Sequence, residues 1–424
     1  MSHKHSMIVL YLIVVGMVAG LGAGWFFGED VLVIKWMGTL FLNALKMTIV
    51  PLILAAVISG VASLGDIRKL GRPGGLTMLY YLSTTVIAII IGLVLVNLIQ
   101  PGVGVEMSAE ALRAGQAKAE SNGGMTFSDI LLSLISPNLV KSAVDLQLLP
   151  LVFFAVIFGA AVTTVGAAGG KVIDFFEGLN DAMMKIVGWI MYFAPIGVFA
   201  LVASSLGEAG GGEAFLATIL GIGKYVATVL IALAVHSVVL FLIMMTMSGR
   251  GIGFVKDMAR ALLTAFGTAS SSATLPLTME CAHEHGLSER AVRFVLPLGS
   301  TVNMNGTALY EAIAAMFIAQ MYGIELGIGA QVLIVVTATL AAIGAAGIPQ
   351  AGTVTMLIVL GAVGLPAEGI GILLSVDWFL DRFRTTVNVW GDSVGAAVMN
   401  KYMASPEEVA LEEALEPHEA SASE

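Results

Sequence analysis

The chain has 424 residues, of which 58% are hydrophobic and only 12% are charged, and its mean hydropathy is +0.93. Charged residues make up about a quarter of a typical soluble domain, so this composition excludes that class and predicts a protein embedded in lipid. The net charge of −10 indicates no broad acidic surface, because seven Glu residues in 405–424 supply most of it. We interpret 404–424 as an acidic, disordered tail.

Long apolar segments follow one another along most of the chain. A membrane-spanning helix needs about 20 mostly apolar residues. This criterion predicts helices over about 7–27, 38–63, 77–100, 172–206 and 214–247, with an interrupted apolar region at 127–166. Lys and Arg in the polar loops 66–73 and 249–260 place those loops on the cytoplasmic side. The alternation fits eight crossings with both termini in the cytoplasm, provided that two further apolar segments do not cross.

Those two segments, 261–290 and 330–365, are interrupted at their centres. The first centre, 267–276, is rich in Ser and ends in Pro, and the second, 344–352, contains three Gly and a Pro. Gly costs about 1 kcal/mol and Pro about 3 kcal/mol inside a helix, so neither centre favours continuous helix. Re-entrant hairpins fit both segments and point to a transporter binding site. A pair of kinked spanning helices is the alternative.

A polar stripe lies in the last apolar segment, about 367–400. At 100° per residue, five side chains fall within roughly 60° of Asp381. They are Asp377, Arg384, Thr385, Asn388 and Asp392. Ionisable residues inside a membrane indicate function by default. The alternative is a structural ion pair of Asp381 with Arg382 or Arg384, which leaves the additional Asn and Asp on the stripe unexplained.

The segment 299–307 is rich in Asn, Thr and Gly, which favours local unwinding of a helix. Freed carbonyls, Asn side chains and carboxylates are hard oxygen ligands, and they suit an alkali cation better than a transition metal. Glu311 follows about one turn later. A buried carboxyl without a partner favours its neutral form, so Glu311 is either a proton carrier or a neutral structural residue. No nucleophile–base set or nucleic-acid-binding stripe emerges, so we expect neither an enzyme nor a nucleic-acid partner.

Four motifs, in this order, resemble the glutamate transporter family, also called dicarboxylate/amino acid:cation symporters. They are the serine-rich centre 269–274, Asn303 to Thr307, Ala-Gly-Ile-Pro-Gln-Ala-Gly at 346–352, and Asp377 to Asp392. The resemblance covers almost the whole chain, and Arg382 and Glu311 match the pattern of the animal excitatory amino acid transporters.

The resemblance implies an all-α polytopic membrane protein with eight transmembrane helices, two re-entrant hairpins and inverted repeats, working as an elevator-type homotrimer. A scaffold would contain 1–75 and 127–206, and a moving transport domain would contain 76–100 and 214–403. The implied location is the plasma membrane, or the inner membrane of a Gram-negative bacterium.

The implied function is secondary active symport of glutamate or aspartate, driven by a sodium gradient, a proton gradient or both. Symport of neutral amino acids or C4-dicarboxylates is one alternative, and a passive anion-conducting channel is another. The second hairpin, around 347–352, is predicted to be the outer gate.

Site residues are carried over from the family position by position. Substrate contacts are expected at Ser271, Met304, Thr307, Gly352, Asp381, Arg384, Thr385 and Asn388. Arg384 would bind the side-chain carboxylate of the substrate, because its planar guanidinium suits a carboxylate. Asp381 would bind the amino group, and Asn388 would help to hold the α-carboxylate.

Three cation sites are implied in the same way. The first would use backbone oxygen at Gly299, Asn303 and Asn388 with the Asp392 carboxylate. The second would use Thr301 and the backbone around Ala342, Ile343 and Ala345. The third would use Tyr81, Thr84, Thr85, Asn303 and Asn305. The family typically has Asp at position 305, so we predict that the third site binds sodium weakly or not at all. Glu311 matches the animal pattern that is associated with proton coupling.

Overall fold

A computed structural model describes residues 3–62, 71–105, 132, 134–145, 147–208, 213–344 and 351–403. The part of the chain within these ranges is helical and contains no β-strand. Four predicted features lie wholly or largely outside the described residues. They are most of the polar loop 66–73, most of the polar loop 101–126, the tip of the second hairpin at 345–350 and the acidic tail.

The first helices agree with the sequence prediction. α1 (His3–Phe27) and α2 (Lys35–Ala62) are separated by a 3₁₀ helix at Gly28–Ile34, and α3 covers Gly71–Ile99. Gly28 adopts a φ of +53°, which only glycine tolerates readily, so the chain turns where the polar Gly-Glu-Asp sequence predicts an end to the first helix. The next helices are α4 (Leu139–Val144), α5 (Leu148–Val162), α6 (Ala167–Met191), α7 (Ala194–Glu208) and α8 (Glu213–Ser248).

The continuous helix predicted over 172–206 is wrong. The structure has two helices there, α6 and α7, which are bent by 58° at Tyr192 and Phe193. Both break residues form short i→i−3 turns, with Tyr192 N bonded to Trp189 O and Phe193 N to Ile190 O. Pro195 follows directly and has no N–H to continue the earlier helix, which explains why a new helix starts here.

The polar loop predicted at 249–260 is also wrong, because α9 (Ile252–Thr268) already begins within it. One side of α9 is buried at Phe254, Met258, Ala261 and Ala265. The charged Lys256 and Arg260 are exposed on the other side. The charges that composition alone assigns to a loop therefore lie on the exposed face of an amphipathic helix.

The first interrupted segment folds as a helix pair, α9 and α10 (Ser271–Glu284), which pack against each other. Ala269 ends α9 with a left-handed φ of +49°, and the Ser270 side chain accepts a 3.1 Å bond from Ala273 N at the start of α10. The predicted interruption is therefore confined to Ala269 and Ser270, and Pro276 lies inside α10.

The remaining helices are α11 (Glu289–Val302), α12 (Asn305–Met321), α13 (Ile328–Gly344), α14 (Ala351–Ala362), a 3₁₀ turn at Ala367–Gly369 and α15 (Ile370–Met403). The break between α11 and α12 at Asn303 and Met304 confirms the predicted unwinding. α13 and α14, which flank the second interrupted centre, pack against each other.

Within the described residues, three helical stretches are long and apolar enough to cross a membrane: Tyr11–Ala62, Pro73–Ile99 and Leu220–Ser248. The number becomes four if the bent pair α6–α7 forms one span. Tyr11–Ala62 has 52 residues, which is far more than the about 20 that one crossing needs.

The helices sort into two sets by their packing. α1, α2, α5, α6 and α7 form the first helix set, whereas α3, α8 to α12 and α15 form the second helix set. α13 and α14 contact members of both sets, and α15 also packs against α1 and α7 of the first set. A 3.2 Å ion pair joins Lys46 of α2 to Glu368, just before α15.

Candidate functional site

The polar stripe of α15 is buried, as its position in an apolar chain demands. Its centre is Arg384, whose side chain has no exposed surface. Arg384 Nη2 donates a 2.7 Å hydrogen bond to Asp381 Oδ1, and Nη1 lies 2.8 Å from Asp377 Oδ1. The second contact is an ion pair without hydrogen-bond geometry, so Arg384 Nε and Nη1 have no hydrogen-bond acceptor among the described residues. The predicted ion pair of Asp381 with Arg384 is therefore present, and two of the Arg384 nitrogens still carry N–H groups without an acceptor among the described residues.

Two further elements hold this guanidinium. Its Cζ lies 3.9 Å from the ring centroid of Tyr310 on α12, a cation–π contact. Gly352, in the first turn of α14, lies against it from the side of the second hairpin. A Cβ at Gly352 would come within 3.1 Å of both Arg384 Nη1 and Thr307 Cγ2. The close approach of this backbone therefore depends on glycine.

Asn388, one helical turn beyond Arg384, is tied to the break between α11 and α12. Its Oδ1 accepts a 2.8 Å bond from Gly306 N, and its Nδ2 donates to Thr307 Oγ1 at 3.2 Å and to Met304 Sδ at 3.6 Å. The structure thus brings five of the predicted substrate contacts together with Gly352 into one cluster. The five are Met304, Thr307, Asp381, Arg384 and Asn388.

A second buried group lies further along α15, around Asp392. Asn303 Nδ2 donates a 2.9 Å bond to Asp392 Oδ1, while Asn303 Oδ1 has no donor among the described residues. Gly299 has no room for a Cβ, because the Asp392 carboxylate and the Tyr81 hydroxyl lie against it. No ion pair of the described residues neutralises Asp392, so this carboxylate and the open amide oxygen suit a cation.

Asn305 lies beside this group, at the start of α12. Its Oδ1 accepts a 2.7 Å bond from Thr85 on α3, whereas its buried Nδ2 has no acceptor within the described residues. A Cβ on Gly391 would come within 3.0 Å of Asn305 Nδ2 and 3.1 Å of Asn303 Nδ2. Tyr81, Thr84 and Thr85 are buried on the facing helix α3. The residues predicted for the third cation site therefore lie together, next to Asp392.

Glu311 is fully buried about two turns after the break at Asn303 and Met304. Thr355 of α14 donates a short hydrogen bond to its Oε1, while Oε2 has no partner in the described part of the chain. Both sequence-based readings, proton carrier and neutral structural residue, stay predictions.

Arg382 faces the first hairpin. Its Nη1 donates to Phe266 O at 3.1 Å and to Gly267 O at 2.9 Å, which are among the last carbonyls of α9. A cation at a helix C-terminus stabilises these otherwise unpaired groups. Arg382 thus connects the C-terminus of α9 to the helix that carries Asp381 and Arg384.

The other predicted site residues lie outside the cluster around Arg384. Ser271 and Thr385 are buried, but neither side chain makes a hydrogen bond to it within the described residues. For the second cation site, Thr301 Oγ1 donates to Leu298 O at 3.1 Å, and Ala342 and Ile343 are buried in α13. Ala345 lies outside the described residues.

Three residues around Arg384 were not among the predicted site residues: Asp377, Tyr310 and Thr353. Asp377 was detectable as part of the polar stripe. Tyr310 precedes Glu311 without any distinguishing pattern. Thr353 Oγ1 donates a 2.9 Å bond to Asp377 Oδ2. No local sequence motif predicts this contact between α14 and α15.

Comparison with known proteins finds a transporter family and transporter relatives. Residues 9–402 match the sodium:dicarboxylate symporter family. Excitatory amino acid transporter 3 of Homo sapiens is 40% identical over 415 residues, covering 86% of this chain and 78% of the relative. A putative sodium-dependent excitatory amino acid transporter of Caenorhabditis elegans is 37% identical over 455 residues, covering 94% of this chain and 90% of the relative. Excitatory amino acid transporter 4 of Mus musculus is 39% identical, with 89% and 78% covered.

Proposed function

We propose a function from the premise that this chain belongs to the sodium:dicarboxylate symporter family: it is a secondary active symporter that carries glutamate or aspartate together with sodium ions. The observation that supports this substrate class is the buried triad of Arg384, Asp377 and Asp381. The related proteins are named excitatory amino acid transporters, which agrees with an acidic amino acid as substrate.

The triad suggests how an acidic amino acid binds. Asp377 is anchored by Thr353 and is less exposed than Asp381, with side-chain exposures of 3% and 9%. We infer that Asp381 is the partner that releases Arg384. The side-chain carboxylate of the substrate then replaces Asp381 at Arg384, and the substrate ammonium group pairs with the released Asp381. Each buried charge exchanges one partner for another, which avoids leaving an unpaired charge in the interior.

The same exchange argues against the alternative substrates. A C4-dicarboxylate supplies the carboxylate but leaves Asp381 without an ammonium partner. A neutral amino acid supplies the ammonium but cannot replace Asp381 at Arg384. Removing one partner of a desolvated charge pair costs about 2–5 kcal/mol, so each alternative is disfavoured against an acidic amino acid.

Sodium is the proposed co-transported ion. Asp392 and the open Asn303 Oδ1 supply hard oxygen ligands, and the substrate adds net negative charge nearby. A bound cation offsets both charges, which couples sodium binding to substrate binding. Glu311 is the proposed proton carrier, since its Oε2 has no partner within the described residues.

We also propose the eight-crossing, two-hairpin architecture, assembled as a homotrimer with both termini in the cytoplasm. The two helix sets support a scaffold built from α1, α2 and α5 to α7 and a moving unit built around α3, α8 to α12 and α15. On this view α13 and α14, the second hairpin, are the outer gate between them.

Uptake into proteoliposomes tests the function. With an inward sodium gradient, we expect L-[3H]aspartate or L-[3H]glutamate to accumulate above its equilibrium level, and choline in place of sodium to abolish this accumulation. L-serine, which lacks the side-chain carboxylate, and succinate, which lacks the ammonium group, are the matched competitors. Uptake that never exceeds equilibrium would favour the channel, and stronger competition by succinate than by aspartate would contradict the proposed substrate.

Gly352→Ala should weaken substrate binding. The added methyl group would come within 3.1 Å of Arg384 Nη1, where the substrate carboxylate must approach, so some neighbour has to shift. We expect the KM for L-aspartate to rise by about tenfold, as for a core overpacked by 1–3 kcal/mol. Gly361→Ala in the same helix is the control. Unchanged aspartate affinity in Gly352→Ala would show that the second hairpin does not border the substrate.

A further inference from the structure

We propose that Thr353 is a positioning and specificity-determining residue: its hydroxyl fixes Asp377, and Asp377 fixes the Arg384 guanidinium in the orientation that receives the side-chain carboxylate of the substrate. This inference rests on the proposed function and deepens it, because it adds a residue of the second hairpin to the machinery that selects acidic substrates.

The geometry forms a chain of three side chains on two elements. Thr353 is 1% exposed in the first turn of α14, and its Oγ1 donates a 2.9 Å bond to Asp377 Oδ2. The other oxygen of the same carboxylate, Oδ1, lies 2.8 Å from Arg384 Nη1. The two oxygens of Asp377 therefore have separate partners, one on α14 and one on α15. Without the hydroxyl, Oδ2 loses this partner and the carboxylate plane is free to rotate.

This use of a threonine hydroxyl differs from its usual role in an apolar helix. Thr337 of α13 is equally buried, and its Oγ1 donates to Leu333 O at 2.7 Å within its own helix. Thr353 instead donates to a carboxylate 24 positions away on another element. A hydrogen bond to a charged group contributes more to stability than one between neutral groups. The bond from Thr353 to the Asp377 carboxylate is therefore stronger than the bond from Thr337 to a backbone carbonyl.

Two consecutive residues of α14 lie close to the Arg384 guanidinium or are linked to it. Gly352 lies so close to Arg384 that an added Cβ would come within 3.1 Å of Nη1, and Thr353 reaches Arg384 through Asp377. If α14 moves away from α15, the Thr353 bond to Asp377 and the packing of Gly352 beside Arg384 are lost together, and Asp377 stays next to Arg384 on α15 but is no longer held by Thr353. Closure of the second hairpin and selection of an acidic substrate are therefore linked through Thr353.

Kinetics of the full-length protein in proteoliposomes test this link. Thr353→Val removes the hydroxyl and keeps the shape, and we expect it to raise the KM for L-aspartate by about tenfold. The maximal rate should change by less than about twofold, because the variant alters orientation in the binding site and leaves the fold intact. Thr353→Ser restores the hydroxyl and should return the KM to the wild-type range. Thr337→Val is the matched control and should leave the KM unchanged.

A double-mutant cycle with Asp377→Asn separates positioning from packing. If Thr353 acts through Asp377, Thr353→Val should cause little further loss when Asp377 is already replaced, whereas independent sites add. Thr353→Ala carries the same test if the valine variant does not fold. A wild-type KM in Thr353→Val, or full additivity in the cycle, would overturn the inference. Wild-type protein that takes up no acidic amino acid would overturn the proposed function as well, and that result is visible before any variant is made.

Discussion

Replacing Arg384 by Cys is expected to abolish the binding of acidic amino acids. Arg384 is the fully buried cation of the site, and Cys cannot form the ion pair with a substrate carboxylate. Loss of one partner from a desolvated charge pair costs about 2–5 kcal/mol, which corresponds to an affinity lower by about 30-fold or more. Neutral amino acids do not need this partner, so their transport should persist or increase. Competition against L-aspartate and direct uptake of L-serine measure both effects.

The variant also leaves Asp377 and Asp381 without their cation, so stability needs its own control. Arg384→Lys keeps the positive charge, yet its single ammonium cannot reproduce the contacts of a planar guanidinium. We expect it to fold and still to bind aspartate weakly. Arg293→Cys removes an exposed arginine whose ion pair with Glu289 is worth little, and it should behave as wild type. Aspartate affinity close to wild type in both Arg384 variants would refute the assigned role.

The parts of the site that depend on a helical period were predictable from the sequence. The stripe from Asp377 to Asp392 follows from 100° per residue, and burial of the whole stripe follows from its apolar surroundings. The break at Asn303 and Met304 was predictable because Asn and Gly weaken a helix. Both features depend on local sequence, which is the level at which composition and spacing are informative.

Tertiary contacts and helix ends were harder to predict from the sequence. The bond between Thr353 and Asp377 depends on how the second hairpin packs on α15, and no periodicity within either segment encodes it. The start of α9 was misplaced because Lys256 and Arg260 read as loop residues, although they cover the outer face of an amphipathic helix. The bend before Pro195 was missed because apolar composition continues through it. The assignments of Ser271, Thr301 and Thr385 come from the family resemblance and stay predictions.

The second large effect concerns sodium stoichiometry and Asn305. We expect transport to use fewer than three sodium ions per substrate, because the third site lacks its own carboxylate. Its other residues, Tyr81, Thr84, Thr85 and Asn303, are all neutral. Moving a monovalent cation into the interior without a compensating charge costs several kcal/mol. One lone pair of Asn305 Oδ1 is already used by the Thr85 hydroxyl, and its Nδ2, which has no acceptor within the described residues, is a donor that cannot bind a cation.

Asp392 is the carboxylate that could rescue this site. It lies against Gly299 and Tyr81, and Asn303 and Asn305 both border the adjacent Gly391. However, Asp392 is also the only carboxylate in the residues assigned to the first sodium site. One negative charge stabilises one buried sodium ion far better than two, so occupancy of the first site opposes occupancy of the third. Glu311 can then supply a proton in place of the missing sodium ion.

Reversal potentials in proteoliposomes, with sodium and pH gradients varied separately, give the stoichiometry directly. Three sodium ions per substrate in the wild-type chain would refute the charge argument and assign sodium to a site with an amide ligand. Asn305→Asp replaces the unpaired donor by a charged acceptor, so it should steepen the sodium dependence and lower the half-saturating sodium concentration by about tenfold or more. Asn400→Asp makes the same chemical change where the side chain accepts a 2.8 Å bond from Ser288 N, and that acceptor role survives the substitution. An equal shift in Asn400→Asp would mean that added negative charge anywhere in the protein attracts sodium, whereas a shift confined to Asn305→Asp places the effect at the third site.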